Sequence, residues 1–238
     1  MSNDLTIIIP VYNEEKNLLK AIPLIETKVN IPHSYIVVYD FPEDTSIRSV
    51  HKLQKKYKNI QLIRNEISSG RGVINAIKTG FSKAKSEALV VMMADLADDP
   101  QTVNIMYEKI LEGFDVVCAS RYSKGGKHLG GPFLKSFLSW LADITAPYIL
   151  GIPTFDLTNA FKMYRKSVIN SINIQSKGGF ELSMEIVVKA YFKGFKITEV
   201  PTVWKDRTAG TSRFNLVGWL PRYLHWYTWG LKKRLGLG

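Results

Sequence analysis

Ala88-Leu89-Val90-Val91-Met92-Met93-Ala94-Asp95-Leu96-Ala97-Asp98-Asp99-Pro100 is the stretch that decides the fold. An apolar run bounded by turn residues reads as a buried strand. Three aspartates sit at or just beyond its carboxyl end. Open α/β sheets bind ligands in the crevice beyond their strand ends. Carboxylates placed there suit a hard divalent cation, which commonly brings a phosphate. A second reading is open at this point: solvated loop acids, with Asp99 capping the next helix ahead of Pro100.

Upstream, the same grammar repeats. Residues 6–10 read as a short apolar strand stopped by Pro10, and a helix follows to about residue 27 with Asn13 as its N-cap. Residues 35–39 and 60–64 read as strands, and residues 44–57 and 73–83 as helices. The third helix is entered through Ser68-Ser69-Gly70-Arg71-Gly72. Strand and helix in alternation imply an α/β fold, Rossmann-like, with a mostly parallel sheet and crossover helices. Downstream the alternation loosens. A helix over 100–112, a strand over 115–119, a mobile loop over 123–131 and a long helix over 132–150 are expected. A strand over 160–164, a helix over 180–193 and a strand over 196–200 follow.

The last stretch, 212–233, carries Leu216, Trp219, Leu220, Tyr223, Tyr227 and Leu231 at helical spacing. Arg213, Arg222, Lys232, Lys233 and Arg234 add charge, and Trp226 and Trp229 add bulk. Basic and aromatic residues on one helix suit a membrane headgroup region; docking on the domain core is the other reading. The expected division is a domain over 1–212 and an amphipathic C-terminal helix over 213–238.

Composition sets limits on partners. The chain has 238 residues and a net charge of +11, which favours anionic partners. The basic residues are scattered and form no nucleic-acid recognition module, so nucleic acid is not expected as a partner. The single cysteine, Cys118, rules out an internal disulfide framework and reads as a buried hydrophobe. No secretory signal is read at Met1-Ser2-Asn3-Asp4. No apolar run reaches the roughly 18 residues of a spanning helix. The nearest, 137–152, is interrupted by Asp143 and Pro147. A cytoplasmic protein, peripheral at the cytoplasmic face of a membrane, is the expectation.

Ile8-Ile9-Pro10-Val11-Tyr12-Asn13-Glu14 resembles the opening of family 2 inverting glycosyltransferases with the GT-A fold, in the branch of polyprenyl-phosphate sugar transferases. Further segments resemble that family in the expected order. They are Gly70 to Gly80, Ala94-Asp95-Leu96 with Pro100, Ser120-Arg121-Tyr122, and Asp156-Leu157-Thr158-Asn159-Ala160-Phe161-Lys162. Gly179-Phe180 with Glu185, then Glu199-Val200-Pro201, then the loop from Arg207 to Arg213 complete the series. The order carries the resemblance more than any one segment does.

The resemblance implies roles. Pro10, Tyr12 and Glu14 would line a nucleotide pocket, with Val38 and Asp40 at the base or ribose. Ala94 and Asp95 would approach the diphosphate and a magnesium or manganese ion. Asp95 and Arg121 would be catalytic, and Arg121, Arg207 and Arg213 would neutralise phosphate charge. The donor implied first is GDP-mannose, then UDP-glucose or UDP-N-acetylglucosamine. The implied acceptor is a polyprenyl or dolichyl phosphate, with a membrane subunit as a further partner. A phosphate is already an anion near neutral pH, so it attacks without a strong base, whereas a hydroxyl acceptor needs one.

Four departures cluster at the implied site. Met93 stands where the family has the first acid of its "DAD", and a thioether is a poor ligand for hard cations. Asp98 or Asp99 would have to compensate. Tyr39-Asp40-Phe41-Pro42 lacks an acid and a glycine of "DDGS", Lys162 replaces an arginine, and Asn159-Ala160 replaces serine-glycine. The alternative function is therefore a catalytically silent GT-A domain that binds a nucleotide or a partner enzyme.

Overall fold

The computed structural model describes residues 5–67, 70–131, 133–206 and 216–237. Its chain runs β1 (Leu5–Pro10), α1 (Glu15–Lys28), β2 (His33–Tyr39), α2 (Ser46–Gln54), β3 (Ile60–Arg64), α3 (Val73–Lys83) and β4 (Ala88–Val91). Then come α4 (Thr102–Leu111), β5 (Val116–Ser120), β6 (Lys127–Leu129), α5 (Phe133–Ile149), β7 (Lys162–Arg165) and α6 (Lys166–Ser171). The chain closes with α7 (Glu181–Phe192), β8 (Ile197–Pro201), β9 (Val203–Lys205) and α8 (Leu216–Arg234).

Seven strands form one sheet in the order β3-β2-β1-β4-β7-β5-β8, and β6 pairs with β9 beside it. Successive residues of a strand face opposite sides of a sheet. Ile8, Val38 and Leu89 accordingly join one apolar core with α3 and α7, and Ile7, Ile9, Val37 and Val90 join a second with α1 and α4. Both faces are covered, which is why these strands read as unbroken apolar runs. The parallel register Ile8↔Ile36 and Ile8↔Val91 brings the carboxyl ends of β2, β1 and β4 to one rim.

Two expectations change, for Asn13 and for residues 123–131, and the structure adds two features that the pattern left open. Asn13 does not cap α1: it sits at φ +56, and its Oδ1 accepts the Thr45 N–H at 3.1 Å. The Glu14 N–H donates to Ser46 Oγ at 2.8 Å, so this turn is spent on tying the loops after β1 and β2 together. β7 runs antiparallel between β4 and β5, a direction that its short sequence does not encode. Residues 123–131 are not simply a loop, because Lys127–Leu129 pairs with Val203–Lys205, far along the chain. The last helix lies against α7, with Trp226 only 3% exposed and its Nε1–H donating to Ser176 Oγ at 3.0 Å. The core-docked reading therefore describes its aromatic side.

α3 crosses β1 at Gly80, where an added Cβ would lie 2.4 Å from Ile8 Cγ2. Ile8 is fully buried and β-branched, so it has no easy rotamer to yield. Gly80→Val is expected to lower the unfolding free energy by about 1–3 kcal/mol through overpacking. Urea denaturation checks this; an unchanged midpoint would mean that α3 rides off the sheet freely.

Candidate active site

The rim beyond β2, β1 and β4 holds most of the polar side chains expected at the site. Tyr12, 45% exposed, leans on Phe41 with ring centroids 5.2 Å apart, and the Arg71 guanidinium lies 5.5 Å from the Phe41 ring. Aromatic faces and a guanidinium gathered at a strand rim offer stacking and charge to a planar anionic ligand. Asp40 is placed just below. Its Oδ1 accepts from Asn65 Nδ2 and its Oδ2 from the Gly72 N–H, both at 2.8 Å. It thus staples the end of β2 to the turn entering α3. That turn needs Gly70 and Gly72, whose φ values are +123 and +124.

Three expected pocket residues, Val38, Pro10 and Ala94, are buried. Val38 is fully buried in the core, and its contribution to the rim is its carbonyl, which accepts the Val11 N–H at 2.9 Å. Its side chain fills the core, as inward-facing strand positions do. Pro10 and Ala94 are buried as well, and shape the floor. Glu14 is half-buried, and its Oε2 accepts from Asn17 Nδ2 at 2.6 Å.

The loop after β4 sorts the three aspartates. Asp99 is exposed and its Oδ1 accepts the Gln101 N–H at 3.0 Å, which is a helix-entry role. Asp95 is half-buried, and its Oδ1 accepts the Ala97 N–H at 3.2 Å. Between them Leu96 is held at φ +58. A branched residue there is strained, and such strain persists only where its surroundings enforce it. Asp98 is buried; burial first, and then the neighbouring Asp95 charge, push its carboxyl up to about 7. Its Oδ1 has no hydrogen-bond partner among the described residues. β9 pins this loop: the Lys205 N–H donates to the Ala97 carbonyl at 2.8 Å, and Asp98 forms a bridge with Trp204. Among the described residues no group of three or more His, Cys, Asp or Glu side chains gathers in metal-binding range.

A second polar group lies at the end of β5. The Arg121 N–H and Nε both donate to Asp156 Oδ2 at 2.8 Å, and Nη2 donates to Asp156 Oδ1 at 2.8 Å. Nη2 also reaches Thr158 Oγ1 at 3.0 Å, Ser139 Oγ at 3.2 Å and Asp143 Oδ2 at 3.3 Å. Arg121 is thus held by two buried carboxylates. Asp156 feels burial, yet the Arg121 charge holds it below the usual carboxylate range. Burial, and then the Asp156 charge, push Asp143 up to about 7. Lys162, fully buried, donates to the Leu157 carbonyl at 3.2 Å and to the Asn159 carbonyl, fixing the same loop from beneath. Beside this group Tyr122, Lys124, Ile144, Phe155, Glu199 and Pro201 line an open-sided cavity of about 520 Å³.

Sequence reasoning passed over Asp143 and Ser139 as site residues. The available signal was an acid inside an apolar helix, which is rarely buried without a partner. Arg207 and Arg213 lie outside the described residues.

Residues 6–172 match the family model described as Glycosyl transferase family 2. The chain belongs to that family. Among its relatives is the dolichol-phosphate mannosyltransferase of Pyrococcus furiosus, 31% identical over 213 residues that cover 87% of this chain and 58% of the relative. The chain thus spans less than two thirds of that relative's length. The polyprenol monophosphomannose synthase of Mycolicibacterium smegmatis is 26% identical over 238 residues, covering 96% of this chain and 88% of the relative. Glucosyl-3-phosphoglycerate synthase from Mycobacterium tuberculosis, solved with Mn2+, UDP and phosphoglyceric acid, superposes with a TM-score of 0.71 at 14% identity, covering 97% of this chain and 79% of that one. The shared architecture is the GT-A fold of this glycosyltransferase family.

Removing one partner of a buried ion pair strands the other charge. Asp156→Ala is expected to cost about 3–5 kcal/mol in urea unfolding. Asp143 behaves oppositely to Asp156 with pH. Its folded pKa stands above the unfolded value, so its share of stability is full in acid and is lost as pH rises through about 7. Asn does not titrate. From about pH 5 to about pH 7.5 the stability difference should therefore move in favour of Asp143→Asn. A pH-independent difference would contradict the buried, proton-holding Asp143.

Proposed function

We propose that the chain is an inverting glycosyltransferase that moves a sugar from a nucleoside-diphosphate donor to a polyprenyl phosphate. The observation that carries this reading is the Asp95–Asp98 pair at the rim of β4. A buried carboxylate oxygen without a hydrogen bond is costly, and a bound cation is one of the few things that satisfies it. The rim shared with Tyr12, Phe41 and Arg71 offers the base and diphosphate a place beside that cation.

The residues fit a hard divalent metal, magnesium or manganese. Asp95 and Asp98 would hold it, and Met93 would not, since such ions take oxygen. Two carboxylates leave coordination positions for water and for phosphate oxygens, as magnesium sites commonly do. The metal would supply positive charge to the departing nucleoside diphosphate. Arg207 and Arg213 would add guanidinium groups to the same anion, which they match bidentately.

The acceptor side falls to the Arg121 group and the cavity beside it. A lipid phosphate brings its own negative charge, so Arg121 would position Ser139 and Thr158 rather than activate a base. Relatives named for dolichol-phosphate and polyprenol monophosphate products support that acceptor class. GDP-mannose is the first donor to try, and UDP-glucose and UDP-N-acetylglucosamine are the next. A lipid acceptor calls for work at a membrane surface, and among the described residues no helix is long and apolar enough to cross one.

Met93 favours one competing reading, a silent domain that binds nucleotide without turnover. A thermal-shift series with GDP-mannose, UDP-glucose and UDP-N-acetylglucosamine, with and without Mn2+, followed by turnover on a short polyprenyl phosphate, separates the two. Transfer supports the enzyme; tight nucleotide binding without transfer supports the silent domain. Asp95→Asn and Asp98→Asn should each weaken Mn2+ binding, read by electron paramagnetic resonance with the nucleoside diphosphate present. Each should also lower turnover by about 100-fold or more. Unchanged Mn2+ affinity in Asp98→Asn would remove it from the metal site.

A further inference from the structure

The inner side of α2 belongs to the core, where Val50 and Leu53 are buried together with Ile22 and Ile60. Its outer side is basic. Arg48, His51, Lys52 and Lys55 are exposed and recur at i, i+3, i+4 and i+7, which is one face of a helix. The backbone is still helical at Lys55, and exposed Lys56 and Lys58 carry the charge beyond it. Residues 46–58 contain no acid.

Such a column is unfavourable when left alone. Like charges three or four residues apart on a helix repel, as Arg48 and Lys52 or Lys52 and Lys55 do. His51 and Lys52 in the last turn complement the helix dipole, but Arg48 stands in the first turn, where a cation opposes it. Among the described residues none of these side chains forms an ion pair. The acids around α2 are placed otherwise. Asp44 is buried and accepts the Asn13 and Ser46 N–H groups, and Glu26 accepts from Asn59 Nδ2. Glu15 and Glu43 are exposed, at the end where α2 begins.

Charge and period together describe what fits. Cations repeating once per helical turn, about 5.4 Å, match carboxylates that repeat the same way on another helix. A bilayer surface calls for an apolar face, and no large apolar side chain exposed among the described residues lies on α2. Single-stranded nucleic acid calls for open aromatic rings; Tyr57 is half-buried against the core, with the Lys56 ammonium over its ring. A second copy brings the same net charge of +11 and is repelled.

We propose that the outer face of α2 docks an acidic helix of a partner protein, with Arg48, His51, Lys52 and Lys55 set against carboxylates of matching period. Exposed ion pairs are individually weak, so the contact is salt-sensitive and rests on several pairs acting together. In the sheet, β1, β4 and β7 stand between β2 and β5. α2, packed on β2 and β3, is therefore across the sheet from the Arg121 group, and a partner seated there leaves that group uncovered. The inference does not depend on the transferase reading.

Fluorescence anisotropy of the full chain with a labelled alanine-based helical peptide, carrying glutamate at i, i+3, i+4 and i+7, tests it. Saturable binding is expected at about 20 mM salt, weakening by about tenfold or more at about 200 mM. The triple variant Arg48→Glu, Lys52→Glu, Lys55→Glu should weaken binding by about tenfold or more. Lys85→Glu, Lys193→Glu, Lys196→Glu makes the same change of net charge at exposed positions elsewhere, and should weaken it by less than about threefold. A peptide of the same composition with its glutamates spread around the helix should bind about threefold or more weaker. Thermal unfolding midpoints should be retained in both triple variants. No nucleotide is present, so the outcome is separate from any failure of the transferase reading.

No saturable binding at low salt, equal loss in the two triple variants, or equal binding of the two peptides would each overturn the proposal. So would a random DNA duplex that binds more tightly than the peptide and loses its binding in the α2 variant, which would assign the column to nucleic acid instead.

Discussion

The buried guanidinium of Arg121, clasped by Asp156 and Asp143, is the constraint on which the part of the molecule around β5, α5 and the loop before β7 depends. Three segments far apart in the chain meet there: the end of β5, the middle of α5 and the loop before β7. Taking these charges out of water is expensive, and their mutual attraction offsets that cost only in good geometry. The value of such a cluster lies less in net stability than in fixing one arrangement. With Asp156 ionised and Asp143 pushed toward its protonated form, the cluster avoids burying two full negative charges on one cation. Lys162 supports the same loop by holding backbone carbonyls, a task for which a point charge serves as well as a guanidinium fork.

The part around β1, β2 and β4 is organised by backbone direction. Parallel pairing of β2, β1 and β4 delivers three strand ends to a common edge, and the chain then spends polar side chains to hold the loops. Asp40 ties two turns through Asn65 and Gly72. Asp44 Oδ1 accepts the Asn13 N–H at 3.0 Å and the Ser46 N–H at 2.8 Å. Among the described residues Asp98 Oδ1, like Asp44 Oδ2 and Glu181 Oε2, is a buried carboxylate oxygen without a hydrogen-bond partner, and Asp98 is the one in the loop after β4. The strained Leu96 sits between Asp95 and Asp98, as expected of a backbone shaped for a ligand.

The departures of this chain from its family's motifs become interpretable once the side chains are placed. Met93 is half-buried beside the rim, and Asp98, three residues beyond Asp95, is a buried carboxylate in the same loop. β9 holds this turn through Trp204 and Lys205, which bridge to Asp98 and bond to the Ala97 carbonyl.

The sequence by itself determined the alternation of strands and helices, the unbroken apolar strands, the rim that carries Tyr12, Asp40 and Asp95, and the family. Those features are local: a period of two or 3.6 residues, a glycine where φ is positive, and a polar residue at a strand end are each written within a few positions. Only the tertiary structure decided that β7 runs antiparallel and that residues 127–129 pair with 203–205. It also decided that the Asp99 side chain accepts the Gln101 N–H while Asp98 is buried beside Asp95, and that α8 turns Trp226 and Trp229 toward the core while α5 leaves Trp140 exposed. Each of these depends on which distant segment packs against which, and an amphipathic pattern shows that a helix has two faces without showing which one another part of the chain will cover.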